Sequence, residues 1–212
     1  MNLAEQMERI YRELALEEIP WNLERPPALL IDLVESGRLA PCRAVDLGCG
    51  AGNYAVWLAT RGFRVTGLDI SPAATELGRR LASTTGVSCD FVAADLLGDV
   101  KALDASFDFA YDWEVLHHIF PVDRLRYVAN VHRMLCPEGR YLSVCFSEDD
   151  PGFGGEGKYR QTPLATTLYF SSEPELKELF EAWFDIEELS TVEITGKRGS
   201  HLAVSALLRK RE

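Results

Sequence analysis

The chain has 212 residues, 47% of them apolar, and a formal net charge of −11 at pH 7. That length suffices for one domain with a sizeable core, and the acidic balance argues against nucleic acid and anionic lipid, which both call for a positive footprint. No apolar run reaches the roughly 18 residues of a membrane span, and five scattered cysteines without a CxxC pair argue against a disulfide framework or a zinc site, so a cytoplasmic protein is expected.

The N-terminus is amphipathic and charged, without the apolar core of a signal peptide. Leu3, Met7, Ile10, Tyr11 and Leu14 recur at helical spacing, and Ile19-Pro20-Trp21 ends that helix. A second helix is expected from Pro26-Pro27, where proline suits a first turn, to Gly37. Arg43 to Leu47 reads as a strand that runs into glycines, followed by a helix from Asn53 to Arg61 with Gly62 as its stop. The pattern repeats with a strand over 63–68, a helix over 72–83 and strands over 87–93 and 107–111. From Pro121 the positions Val122, Leu125, Val128, Val131 and Leu135 predict one buried helix face, and Arg140 to Phe146 a fifth strand in which Cys145 is a small buried residue. Such alternation implies a parallel sheet covered on both faces. Residues 147–167 carry Gly152, Gly154, Gly155 and Gly157 without core periodicity and read as a long loop or lid. Ser172 with Glu175 forms a capping-box pattern ahead of Leu176, Leu179 and Phe180. The strands 184–194 and 201–208, joined by a turn containing glycine, predict an antiparallel hairpin, and Arg209-Lys210-Arg211 a solvated tail.

The chemistry concentrates at the end of the first strand, in Val45-Asp46-Leu47-Gly48-Cys49-Gly50-Ala51-Gly52. Open parallel sheets bind ligands beyond their strand C-termini, and glycine allows backbone to approach a ligand closely. A glycine turn alone is weak evidence. Acidic residues strengthen it. Asp46 precedes the first glycine and could orient the loop or accept from an ammonium. Asp69 ends the second strand, where a carboxylate can bond ribose hydroxyls, and Asp95 ends the third, where one can bond an adenine amino group. Together they read as one adenosine site. A nicotinamide oxidoreductase is the nearest rival, but its third glycine would fall at position 53, which is Asn53.

The turn resembles the first motif of class I S-adenosylmethionine (SAM)-dependent methyltransferases. Gly67-Leu68-Asp69-Ile70-Ser71 resembles their ribose-binding strand end, and Ala93-Ala94-Asp95-Leu96 their adenine-binding segment. Phe107 to Ile119, with Val115-Leu116-His117-His118, resembles their fourth-strand motif, and Arg133 to Arg140 the turn into their fifth strand. The match runs from about residue 43 to 147 in the family's order. It implies a Rossmann-like three-layer α/β sandwich whose seven-stranded, mostly parallel sheet ends in an antiparallel hairpin. The expected organisation is one domain over 1–212: a helical cover (1–40), a SAM-binding core (41–147), a loop or lid (148–171), and a final helix and hairpin (172–212).

The resemblance implies SAM as cofactor, S-adenosylhomocysteine as product and a small-molecule acceptor at sulfur, oxygen or nitrogen. Donor-binding residues would be Trp21, Asp46, Gly48, Cys49, Gly50, Gly52, Asp69, Ile70, Asp95, Leu96 and Asp112. Pro20 to Pro26 is similar to a segment in thiopurine- and thiol-methyltransferase-like enzymes in which the tryptophan packs on the donor. Trp21 could equally staple the cover to the core. The methyl group would point toward the fourth strand end, so Tyr11, Trp113, His117 and Arg160 are candidate pocket residues. His117 and His118 are candidate bases, since imidazole titrates near neutrality, or packing residues after the strand. Trp113 is either pocket wall or core. A SAM-binding sensor or partner subunit without turnover is the alternative reading. Metal ligands are not expected, and the residues are silent on oligomeric state.

Overall fold

The computed structural model describes residues 2–154 and 156–211, so Gly155 of the expected loop lies outside the described residues. The chain forms two compact units, one of residues up to 95 with 196–198, the other of 96–195 with residues from 199 on.

In the first unit, helix α1 (Leu3–Glu13) starts at a capping box between Asn2 and Glu5 and buries Met7, Ile10 and Tyr11, the expected stripe. Helix α2 (Ala28–Glu35) follows Pro27. Strand β1 (Arg43–Leu47), helix α3 (Asn53–Ala59), strand β2 (Arg64–Asp69), helix α4 (Pro72–Thr85) and strand β3 (Asp90–Ala93) continue the alternation. Strand β1 pairs parallel with β2, Leu47 opposite Leu68, and β2 pairs parallel with β3. The last four residues of β1 are buried, as a strand covered on both faces should be. The ammonium of Lys197 donates to the carbonyls of Leu16 (2.9 Å), Glu17 (3.1 Å) and Ile19 (2.8 Å), which fixes the bend after α1.

In the second unit, strand β4 (Phe107–Trp113) runs two residues beyond its expected end and passes into a 3-10 turn at Leu116–His118. Helix α5 (Pro121–Met134), strand β5 (Leu135–Phe146), strands β6 (Tyr159–Gln161) and β7 (Thr167–Tyr169), helix α6 (Glu173–Glu181) and strands β8 (Phe184–Gly196) and β9 (Gly199–Lys210) follow. Strand β4 is parallel to β5, and β9 is antiparallel to β5. The capping box of Ser172 and Glu175 is present. The strands make the expected seven-stranded sheet, in the order β3-β2-β1-β4-β5-β9-β8. Among the described residues no helix is long and apolar enough to cross a membrane.

Two sequence expectations are corrected in this unit. Val122 and Leu125 are 87% and 62% exposed, so they do not belong to the core face of α5. That face is Arg124, Tyr127, Val128, Val131 and Met134. The buried Arg124 sets it: its guanidinium donates to the carbonyls of Ile119 (2.9 Å) and Leu116 (3.4 Å), a demand that apolar periodicity does not register. The expected structureless stretch over 147–167 also contains β6, which pairs antiparallel with β7.

Candidate functional site

The turn between β1 and α3 is built by φ signs that only glycine adopts readily: Gly48, Gly50 and Gly52 have φ of +73°, +53° and +81°. A Cβ added at Gly52 would come 2.7 Å from the Phe91 ring and 2.9 Å from the Cα of Gly78, so the turn is pressed onto α4 and β3. The carboxylate of Asp69, at the end of β2, accepts from the backbone N–H of Gly50 (2.8 Å) and of Ser71 (2.9 Å). Burial raises the Asp69 pKa, and these bonds work against the rise. Asp46 and Cys49 are buried beside it, and burial pushes the Cys49 thiol well up. Ile70 is half-buried and Asp95 exposed, while Leu96 is buried in the second unit.

The N-terminal segment is tied onto this turn. The Trp21 indole donates to the Tyr11 hydroxyl at 2.8 Å, and a Cβ at Gly50 would meet that hydroxyl at 2.5 Å. Tyr11 thus lies directly over Gly50 with its own proton left to donate. Burial, then the charge of Asp69, raises its pKa well above the usual phenol value, so it stays neutral. Glu8, one turn earlier on α1, accepts from the Ser71 hydroxyl (2.6 Å) and the backbone N–H of Ala73 (3.0 Å) at the start of α4. The Asn53 amide donates to the Asn22 side chain (2.9 Å) and the Leu23 carbonyl (3.0 Å), which holds the chain beyond Trp21.

In the second unit the carboxyl end of β4 carries a dense set of polar residues. Asp112 is fully buried, and its carboxylate accepts from the hydroxyls of Tyr127 (3.1 Å) and Tyr141. Burial pushes its pKa up to about 6. Trp113 is half-buried. His117 stacks on Phe146 with centroids 4.6 Å apart and meets His118 edge-on at 4.7 Å. Burial drives the His118 pKa down to about 4 and, with the charges of neighbouring basic groups added, that of His117 well below its usual value. Both rings are therefore neutral at pH 7. Arg160 is buried over the Phe170 ring at 4.0 Å and donates to the carbonyls of Glu148 (2.7 Å), Gly152 (3.0 Å), Gly157 (2.9 Å) and Asp150. It gathers the backbone at 148–152 and at Gly157 around its guanidinium.

Residues 44–139 match a family model described as a methyltransferase domain. The chain is 29% identical over 195 residues to a 2-heptyl-1-hydroxyquinolin-4(1H)-one methyltransferase of Mycobacteroides abscessus, spanning 89% of this chain and 80% of that one. It is 30% identical over 137 residues to a probable thiol methyltransferase 2 of Arabidopsis thaliana, over 64% of this chain and 60% of the plant protein. A solved structure of 1,6-didemethyltoxoflavin-N1-methyltransferase from Burkholderia thailandensis, with bound S-adenosylhomocysteine, superposes with a TM-score of 0.68 at 24% identity, covering 96% of this chain and 81% of that one. The domain match and these relatives support a class I SAM-dependent methyltransferase. A structure from work on conversion of a disulfide bond into a thioacetal group during echinomycin biosynthesis has the same fold, with a TM-score of 0.83 at 24% identity over 99% of this chain and 92% of that one.

SAM is therefore the donor, and the first unit suits it. A cationic sulfonium and ammonium match the buried acidic pair Asp46 and Asp69, and no phosphate has to be carried against them. Sequence reasoning missed four residues of this methyltransferase. Glu8 and Arg124 fall in no sequence pattern that marks them. Asn53 was read only as a missing glycine. Glu114 stands at φ +64°, a conformation that costs a non-glycine residue energy, and its position in a strand-like run carried no signal of that.

Proposed function

We propose that the methyltransferase transfers the SAM methyl group to sulfur, oxygen or nitrogen of a small molecule. The observation that carries the donor half is the arrangement of Asp69, Gly50 and Tyr11: a buried carboxylate bonded to the turn, with a phenol lying on it. Bound SAM supplies a methyl group on a sulfonium, which departs as a neutral thioether. Gly48, Cys49, Gly50 and Gly52 give the backbone surface for the donor. Asp46 takes its ammonium, Asp69 with Ile70 its ribose, and Asp95 with Leu96 its adenine. Trp21 holds Tyr11 in place over the turn. The chain's part in the transfer is to orient the donor and keep water away, which supplies most of the acceleration when the leaving group is good.

Asp112 stands with the donor-binding residues: Tyr127 and Tyr141 both bond its Oδ2, and its Oδ1 is buried without a hydrogen-bond partner among the described residues. Trp113 and His117 form acceptor wall. Arg160, with its donors committed to loop carbonyls, positions the loop and does not itself recognise acceptor. The small-molecule class rests on the relatives, whose names specify a hydroxyquinolinone and thiols. Their alignment extends beyond the SAM-binding motifs in the first case, over 89% of this chain. Action in the cytoplasm, without a nucleic-acid partner, follows from the net charge of −11 and the cysteine pattern.

The test is incubation of the protein and SAM with a panel of thiols, phenols, N-hydroxy heterocycles and amines. Formation of S-adenosylhomocysteine together with one methylated product supports the reading. SAM binding with no methylated product from any member would replace it with the sensor reading.

A further inference from the structure

We propose that Lys197 is a positioning residue for the donor. It latches the N-terminal strap, residues 11–23, over the turn after β1, and the strap must leave that latch for SAM to enter and S-adenosylhomocysteine to depart. The inference rests on the donor reading above and adds a gate to it.

Every residue involved belongs to the first compact unit, including the turn over 196–198 that carries Lys197. A lysine ammonium has three N–H donors and no acceptor. Lys197 gives them to the carbonyls of Leu16 (2.9 Å), Glu17 (3.1 Å) and Ile19 (2.8 Å). These carbonyls belong to the stretch between α1 and α2, which has no helix or strand of its own to hold it.

A chain of bonds joins the latch to the donor turn. The Leu16 carbonyl also accepts from the Asn22 amide (3.3 Å), and the Asn22 side-chain oxygen accepts from the Asn53 amide (2.9 Å). Asn53 is the first residue of α3, directly after Gly52, and it also holds the Leu23 carbonyl (3.0 Å). The segment over 16–23 is thus tied by Lys197 at one end and by Asn53 at the other. Between the two ties, the Trp21 indole donates to the Tyr11 hydroxyl, which lies on Gly50. A molecule seated on Gly50 meets Tyr11, and it exchanges with solvent when the strap lifts.

The strength of the latch suits a gate. Its bonds to Leu16 and Glu17 are exposed, where water competes for donor and acceptor, and the bond to Ile19 is partly buried. A segment held by such bonds opens at a fraction of the free energy of global unfolding, as a cover over a binding site must. The bonds of Asp69 to Gly50 and Ser71 involve no strap residue, so the turn keeps its shape while the strap moves.

The experiment measures the association and dissociation rates of S-adenosylhomocysteine on the full chain by stopped-flow tryptophan fluorescence. Lys197→Met keeps a long stem and removes the three donors. Its dissociation rate is expected to rise by about 10-fold, the effect of losing roughly one net charge-assisted hydrogen bond. The association rate should rise as well, so that Kd changes less than the dissociation rate. The amides of Ile19, Asn22 and Leu23 should exchange hydrogen faster, while those of β1 and β2 and the urea midpoint stay as in wild type. Lys197→Arg keeps the charge, but its flat guanidinium matches three carbonyls poorly, and it should fall between the two. A dissociation rate equal to wild type would overturn the latch. So would a faster dissociation with association unchanged or slower, which marks a distorted site and not a loosened gate. If S-adenosylhomocysteine neither binds Asp69→Asn more weakly nor slows exchange of the strap amides in wild type, the donor reading itself fails and the gate falls with it.

Discussion

The turn after β1 and the segment after β4 both leave a strand at its carboxyl end, yet side-chain hydrogen bonds tie the turn to α1 and α4, while two imidazole nitrogens of the segment are buried without partners among the described residues. In the turn, Asp69 is bonded to Gly50 and Ser71, Tyr11 to Trp21, and Glu8 to Ser71 and Ala73. In the segment, the Nδ1 atoms of His117 and His118 are buried without such partners among the described residues. A satisfied network is preorganised and rigid. An unsatisfied one waits for a ligand to complete it. The contrast suits a protein whose donor is constant across a family while its acceptor varies.

The largest effect expected from breaking the first region is at Gly52. Valine there would need a φ near +81° and would press its Cβ into Phe91 and the backbone of Gly78. Gly52→Val should lower the unfolding free energy by about 3 kcal/mol or more, seen as a fall in the urea midpoint. A midpoint unchanged from wild type would mean the turn is not pressed onto its neighbours as described.

The second region should show itself in how stability varies with pH, and its two kinds of group have opposite signs. The folded pKa of His118, about 4, is below its unfolded value near 6.5, so its contribution is present above that value and is lost as pH falls toward 4. The folded pKa of Glu114, about 7, is above its unfolded value, so its contribution is present below about pH 4.3 and is lost as pH rises through 7. Between pH 4.5 and 6.5 the two partly cancel in wild type. Glu114→Gln should therefore make stability rise more steeply with pH across this window, and His118→Gln should make it rise less steeply. Each change is at most about 1.4 kcal/mol per pH unit for one proton. Denaturant titrations at five pH values would show it, and parallel curves for all three proteins would contradict the protonation states given.

A smaller effect is expected at Trp21. Trp21→Phe removes the donor to the Tyr11 hydroxyl, a neutral bond of about 1 kcal/mol, and should weaken SAM binding by roughly 5-fold. If it leaves the affinity unchanged, the N-terminal segment packs on the turn without helping to hold the donor.

The same contrast explains what could be read in the sequence. Gly50, Gly52 and Asp69 were legible because what marks them is local: a positive φ calls for glycine, and a carboxylate ends a strand. The parallel alternation, the capping box at Ser172 and the closing strands were legible for the same reason. Glu8 was not, because its partners lie 63 and 65 residues away, nor was Asn53, whose partners lie 31 and 30 residues back. Arg124 carried no signal in the sequence, and the apolar pattern put Val122 and Leu125 on the wrong face. Arg160 was a candidate pocket residue, and its bonds to the carbonyls of its own loop could not be read from the sequence. In each of these cases a polar group is buried because of bonds made in three dimensions, and hydrophobic periodicity carries no record of such bonds.

The central claim is that the acidic turn after β1 holds SAM through Asp69, and calorimetric titration of SAM into wild type and Asp69→Asn tests it most directly. Asparagine keeps the size but removes the charge and one acceptor, so the affinity should fall by about 10- to 100-fold, the range expected for a charged hydrogen bond. Equal affinity in the two proteins, or no SAM binding by wild type, would contradict the account.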